Sequence, residues 1–289
     1  MRALCRRSDP RYDEITVPFD PNSLAPRGHR LSRRQVHALY PGDPRAHYER
    51  GMLAWSLAFY AGYLLYVLER VPGWAFGVLG FVFVLRYFNR WHEAIHADQR
   101  GAASWHPARA LLVIMGPIYL GRRELEDMHL AHHREDGGPL DPHRRMGQPS
   151  PVRAAFWCLI EPEMAVWTHL RRHGLDAALA ARMAAHALVW AGLMWLGGWR
   201  GLVAYNLVTR LGNGVAWFVF SWLVHRPWLY GQIRPPAFPR PLAALWVALV
   251  GGENLDGVRY HYLHHLFPWV PDRALGALSR RLGARTEGA

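Results

Sequence analysis

The chain of 289 residues has 34 basic and 22 acidic residues, a formal charge of +12, 51% hydrophobic and 13% aromatic side chains, and 14 tryptophans. Its two cysteines, Cys5 and Cys158, exclude a four-cysteine zinc or iron–sulfur site and any disulfide framework. Every basic residue is arginine and no nucleic-acid motif accompanies the charge, so no nucleic-acid partner is expected.

A mean hydropathy of −0.09 hides a segregated chain, in which long apolar runs alternate with arginine-rich stretches. That pattern predicts a polytopic membrane protein with substantial aqueous parts. Residues 1–48 form a polar, proline-broken arm, with a short helix expected from Ser32 to Leu39 and with His29, His37 and His47 at its surface. The arm is too polar for a signal peptide and places the start of the chain in the cytosol.

Residues 49–275 are read as one membrane domain. Gly51 to Leu68 and Trp74 to Phe88 are apolar runs close to the roughly 20 residues that span a bilayer, joined by Glu69-Arg70-Val71-Pro72-Gly73. Arg86 lies about one turn from the exit, where it can snorkel. Ala108 to Leu120 is too short to cross and reads as an interfacial or re-entrant piece. Ala177 to Leu196 and Leu202 to Val224 make a second hairpin, joined by Gly197-Gly198-Trp199-Arg200-Gly201. An arginine-rich tail, 276–289, closes the chain. The expected fold is all-α: four transmembrane helices in two hairpins, with a cytosolic helical cap. Only Arg70 and Arg200 fall in the outer loops, so positive-inside counting puts the cap on the cytosolic side of the inner membrane.

Three histidine clusters fall on that same side. His92 and His96 are spaced i, i+4; His129, His132 and His133, and again His261, His264 and His265, are spaced i, i+3, i+4. On helices these spacings point every ring of a cluster from one face. Eight neutral imidazoles suit a transition metal and exceed what one metal uses, so two adjacent metals are the natural reading. Iron is the usual choice where O2 is activated at nitrogen ligands. Among nearby carboxylates, Asp141 and Asp256 are the favoured partners for the second ring nitrogen, while Glu93, Asp127, Asp136 and Glu253 read as solvated loop charges. His106, His143, His169, His173 and His186 lack a partner at ligand spacing and read as structural or exposed, with His143 the strongest exception.

His92-x3-His96, His129-x2-His132-His133 and His261-x2-His264-His265-Leu266-Phe267-Pro268 together resemble the three histidine boxes of the integral-membrane fatty acid desaturase and hydroxylase superfamily, over about residues 50 to 275. The resemblance implies a di-iron centre at the cytosolic face of four transmembrane helices. It also implies a ninth ligand, His225, at the end of the fourth. The implied chemistry is removal of hydrogen from an unactivated C–H bond with O2 and an external electron donor of ferredoxin, rubredoxin or cytochrome b5 type. Phe220 to Pro227 and the approach from Asn254 to His261 resemble carotenoid ring hydroxylases and ketolases as well. The first box has the short x3 form, which points away from acyl-CoA and leaves glycerolipid-bound acyl chains or carotenoids as substrate. Fatty acid desaturation is the first expectation, and carotenoid ring oxidation the alternative.

His92-Glu93-Ala94-Ile95-His96 also satisfies the H-E-x-x-H pattern of zinc proteases, in which the glutamate is the general base. That reading leaves the other six box histidines without a role. A metal-carrying membrane protein without catalysis is the third class.

Overall fold

The computed structural model describes residues 38–40, 45–98, 122–136, 138, 141–268 and 270–286. Among them the secondary structure is helical throughout: α1 Arg45–Val67, α2 Gly73–Asp98, α3 Arg122–Glu135, α4 Pro151–Leu159, α5 Glu161–His173, α6 Ala177–Trp217, a π-helical segment Phe218–Leu223, α7 Arg240–Leu249, α8 Gly252–Arg259, α9 His261–Leu266 and α10 Asp272–Thr286. The interfacial piece expected at Ala108 to Leu120 and the arm helix expected from Ser32 lie outside the described residues, apart from a turn at 38–40.

Helices α1 and α2 pack along their length as a hairpin. The turn between them is a Schellman closure: the Glu69 amide donates to the Tyr66 carbonyl (3.0 Å) and the Arg70 amide to the Leu65 carbonyl (2.8 Å). Glu69 takes the left-handed conformation there (φ 58°), a place where glycine is usual. Helix α4 starts on Ser150, whose hydroxyl accepts from the Arg153 amide, with Pro151 in its first turn; α6 starts on Asp176, which caps the Leu179 amide at 2.6 Å.

Helix α6 breaks at Gly198, whose φ 56° and ψ −163° belong to no helix and are open only to glycine. The chain doubles back at this point. Leu179 packs on Ala165 and Val166 of α5, the Leu193 carbonyl accepts from the Tyr63 hydroxyl (3.2 Å), and Arg210 is again at α5, paired with Glu163. The two turns touch, since Arg200 donates to the Tyr66 hydroxyl (3.1 Å) and lies 3.6 Å from Glu69. By length and composition, only Ala177–Leu223 among the described helices is apolar enough to cross a membrane. Helices α1 and α2, with 23 and 26 residues, have the length but carry Tyr, Trp and Arg, which lower their hydropathy.

The core between the hairpins is aromatic. Phe59 and Tyr63 of α1 and Tyr205 of α6 meet edge-on at 5.6 and 5.7 Å, with Phe76 of α2 beside them. A second core joins Leu263 and Leu266 of α9 to Leu275, Leu278 and Leu282 of α10, with Tyr40 from the arm. Residues 276–286, assigned to a tail from sequence, thus belong to α10, which packs through Leu275, Leu278 and Leu282. Two polar links fix the cap against α2. Asn254 of α8 donates to Asn89 (2.8 Å) while accepting from Trp246 (2.6 Å), and Arg86 donates to the carbonyls of Ala248 (2.7 Å) and Leu249 (2.9 Å). Arg86 therefore closes the end of α7 instead of merely reaching for water.

The second arm of α6 lies so close to α2 that a Cβ on Gly212 would stand 2.6 Å from Val84, which is fully buried. Gly212→Ala is expected to destabilise the protein by about 1–3 kcal/mol through overpacking. The check is the thermal midpoint in detergent, and an unchanged value would show that the two helices are free to move apart.

Candidate metal centre

The histidines that the sequence places in three boxes converge, but not on one point. The nearest ligand atoms sort into two groups, His92, His96, His129, His133 and His264 in one, and His132, His225, His261 and His265 in the other. Within each group these atoms lie within 4.8 Å of one another. The spacing explains the sorting. Residues four apart stack on one helix face and stay together: His92 with His96, His129 with His133, His261 with His265. The middle histidine of each longer box, His132 or His264, is turned about 100° from its neighbour and enters the opposite group. Adjacent residues therefore always serve different groups.

His225 arrives by another route. It follows the π-helical segment Phe218–Leu223, whose wider turn ends the second arm of α6, and its Nε2 lies 3.3 Å from that of His265. In the same group His265 Nε2 is 3.1 Å from His261 Nε2; in the other, His129 Nε2 is 2.9 Å from His96 Nε2 and 3.0 Å from His133 Nε2. Two imidazoles bound at right angles to one metal, each at about 2.1 Å, stand about 3 Å apart. A ring nitrogen carries either one proton or one lone pair, so His129 and His265 can each satisfy only one of the two nitrogens they face. Nε2 of His92 and of His264 has no hydrogen-bond partner, although these residues are 3% and 1% exposed. Unpaired buried polar atoms are costly, and a cation in each group would satisfy them all.

Carboxylates stand on the outer side of the rings. His132 Nδ1 is 2.9 Å from Asp141, whose other oxygen accepts the His143 amide (2.7 Å). His265 Nδ1 is 3.6 Å from Asp136, which accepts from the Tyr230 hydroxyl (2.5 Å). His92 Nδ1 is 3.4 Å from Glu93, His264 Nδ1 is 4.0 Å from Asp272, and the Asp272 amide donates to Glu93 (3.0 Å). Of the two carboxylates favoured from sequence, Asp141 is in place. Asp256 is not: its charged neighbours are Arg259, Arg280 and Glu253. Glu93 and Asp136, read as loop charges, face ring nitrogens instead. Asp272 was missed because an acid opening a helix reads as a cap. Glu253 pairs with Arg90 and His47, and the Asp127 side chain lies outside the described residues.

His143 is buried against His132 and Trp217, each ring 4.8 Å away; it joins neither the group of five nor the group of four, but clusters with His132 and Asp141. His169 packs at a tilt on His173 and His186 on Trp190, outside both groups; His106 lies outside the described residues. The protease arrangement does not fit: Glu93 is 3% exposed and accepts from the Asp272 amide, and His92 and His96 share their group with three further imidazoles.

Burial pushes the imidazoles of His129, His133, His261 and His265 well down, and that of His264 to about 3. All five are neutral at pH 7, the state that ligates. Burial alone would raise the Asp141 carboxyl, but its hydrogen bond to His132 and the nearby His132 and His143 rings hold it at about 2. Phe220 closes the centre from the core side, 5.0 Å from His92, in an aromatic layer with Phe88, Trp91 and Trp217. On the outer side a cleft of about 420 Å³ reaches His132 and His225 between Asp136, Asp141, Arg144, Gln148, Ser221, Arg226 and Tyr230.

Residues 71–288 match the family described as fatty acid desaturase. No curated protein and no solved structure matches the chain.

The depressed imidazoles carry a stability consequence. The unfolded chain protonates its histidines below about pH 6.5, whereas the folded metal-free protein keeps the buried ones neutral. The unfolded state then binds more protons, so stability falls as the pH drops below about 6.5. Thermal midpoints of chelator-treated protein at about pH 7.5 and about pH 5.5 test this, and equal values would contradict the buried neutral rings.

Proposed function

The chain belongs to the fatty acid desaturase family, and on that footing we propose that it is an O2-dependent membrane oxidoreductase acting on a long apolar lipid chain, as an acyl-lipid desaturase. The family comprises desaturase- and hydroxylase-type oxidoreductases, is membrane-associated and is typically di-iron. The observation that carries the reading is the sorting of nine imidazoles into a group of five and a group of four. Each group would hold one iron ion. When bound, the pair supplies the oxidising power that breaks an unactivated C–H bond. In desaturation, two hydrogens from the chain and two electrons and two protons from outside reduce one O2 to two waters.

The protein's own residues prepare that reaction. Asp141 accepts a hydrogen bond from Nδ1–H of His132 and so turns Nε2 inward; Asp136 and Glu93 face His265 and His92 in the same sense. Phe220 and the Phe88–Trp91–Trp217 layer keep water from the core side and offer an apolar surface for a hydrocarbon chain. Placement of that chain against the centre decides between a double bond and an alcohol.

The topology proposed with this reading is four crossings: α1, α2 and the two arms of α6. Large apolar side chains face outward along them, among them Leu57, Leu64, Leu188, Leu207 and Leu211. Trp74, Trp195 and Trp199, 76%, 84% and 70% exposed, stand by the two turns, where an aromatic belt would meet the far membrane surface. The centre lies at the other end, on the side assigned to the cytosol of the inner membrane. An external electron carrier completes the system, and the arginine-rich face suits an acidic one.

Expression in a host that makes both phospholipids and β-carotene, followed by lipid mass spectrometry, tests the substrate. Loss of two hydrogens from acyl chains is expected. A gain of oxygen on the carotenoid would instead assign ring oxidation, and the absence of both changes would leave the lipid substrate without support. Purified protein should carry two irons per chain. His132→Ala and His264→Ala should abolish product while leaving membrane insertion intact, and Asp141→Asn should weaken metal binding about 10–100-fold.

A further inference from the structure

Helix α7 is unlike the rest of the cap. Beyond Arg240 every residue in it is apolar, none is buried, and Leu242, Leu245 and Val247 stand exposed. From Gly231 to Gly252 the chain has no acidic residue and two arginines, Arg234 and Arg240, both ahead of the apolar run. The two ends of the helix are finished differently. A helix leaves its last four carbonyls without partners of its own, and water usually takes them. Here the protein takes all four. The Val250 amide donates to the Trp246 carbonyl (2.8 Å) and the Gly251 amide to that of Val247 (3.0 Å), while Arg86 holds those of Ala248 and Leu249. The one polar side-chain atom of the apolar run, Trp246 Nε1, donates to Asn254 (2.6 Å). The first turn has no side-chain cap, and Arg240 is exposed there. The C-terminal end thus needs no water, whereas the N-terminal end carries a charge.

Arg86 lies midway along α2, its guanidinium 4.8 Å over the Trp55 ring of α1. Beside it the chain turns back at Gly251 (φ 108°), and α8 returns along α2 through Asn254 on Asn89 and Glu253 on Arg90. We propose that α7, this turn and α8 form a re-entrant hairpin, with α7 among the acyl chains of the cytosolic leaflet and Arg240 at its anionic headgroups. The proposal rests on the membrane reading above and adds a fifth lipid-facing helix to its four crossings. At 1.5 Å per residue α7 is about 15 Å long, against a hydrocarbon core of about 30 Å, so it dips into one leaflet and does not cross. Irregular backbone is tolerated at that depth only where protein satisfies it, and the Gly251 amide and carbonyl both have partners, the carbonyl accepting from the Leu255 amide (3.3 Å). Arginine at the entry, with no acid nearby, suits the negative surface of that leaflet. Because α8 runs directly into α9, the hairpin sets the depth at which His261, His264 and His265 are held.

The test uses the full chain with Cys5→Ser, in nanodiscs of phosphatidylcholine and phosphatidylglycerol. Nitroxide labels are placed singly at Leu242→Cys, Leu245→Cys and Val247→Cys; Cys158 is buried. Relaxation by O2, which concentrates in lipid, is compared with relaxation by a water-soluble nickel chelate. The Leu245 label should respond to O2 and hardly to nickel, and Val247 should read deeper than Leu242. A label at Arg273→Cys, exposed on α10, should show the reverse. Arg240→Glu should shift the Leu242 label toward water, and an unchanged depth would overturn the headgroup contact. Nickel access at Leu245 equal to that at Arg273 overturns the hairpin. A label at Leu57→Cys, exposed on α1, separates the two readings. Lipid at Leu57 with water at Leu245 leaves the four crossings and removes only the hairpin; water at both overturns both.

Discussion

Nine imidazoles, seven buried and two half-buried, with their nitrogens turned toward one another form the constraint that the rest of the structure serves. A packed core usually gives each buried polar atom a partner, and here several have none within the protein. Holding lone pairs about 3 Å apart without a cation between them is unfavourable, so the surrounding helices must impose it. Four segments do so: the end of α2, α3, the exit of α6 through its π-helical segment, and α9. None of them brings enough ligands alone. The aromatic core between the hairpins and the leucine core under α9 and α10 set their relative positions, and the Asn89–Asn254–Trp246 chain ties α7 and α8 to α2.

Much of this was legible in the sequence, because helical spacing is a local property. His92, His96, His129, His132, His133, His261, His264 and His265 declare themselves by intervals of three and four, and the hairpins by apolar runs broken at Glu69 to Gly73 and Gly197 to Gly201. His225 has no such interval. It was found only through the resemblance, since what places it is the π-helical segment, a feature of hydrogen bonding that side-chain periodicity does not record. The division into groups of five and four was not foreseen either. A box was expected to aim at one place, and the 100° step between neighbours sends its members to two.

The partners of the rings were the least legible part. Asp272 is 179 residues from Glu93 in the chain, and Asp136 and His265 are likewise far apart; only tertiary packing joins them. Asp141 was found because it sits just past its box, and the same argument from proximity misplaced Asp256. Hydropathy told a similar story. The first hairpin carries Tyr, Trp and Arg, which suit packing and the membrane surface but score low as membrane residues, so its length and its hydropathy point different ways.

The pairs His132–His133 and His264–His265 each send one ring to either group. Twice over, then, the gap between the two groups is spanned by a single peptide unit inside a helix. Peptide geometry is among the stiffest in the molecule, so this gap behaves as a ruler set by covalent structure and not as a clearance left by packing. Loop motion, lipid thickness and temperature can reshape the approaches while the spacing itself holds. Divergent chains that keep two such doublets would inherit the same interval, whatever substrate they come to accept.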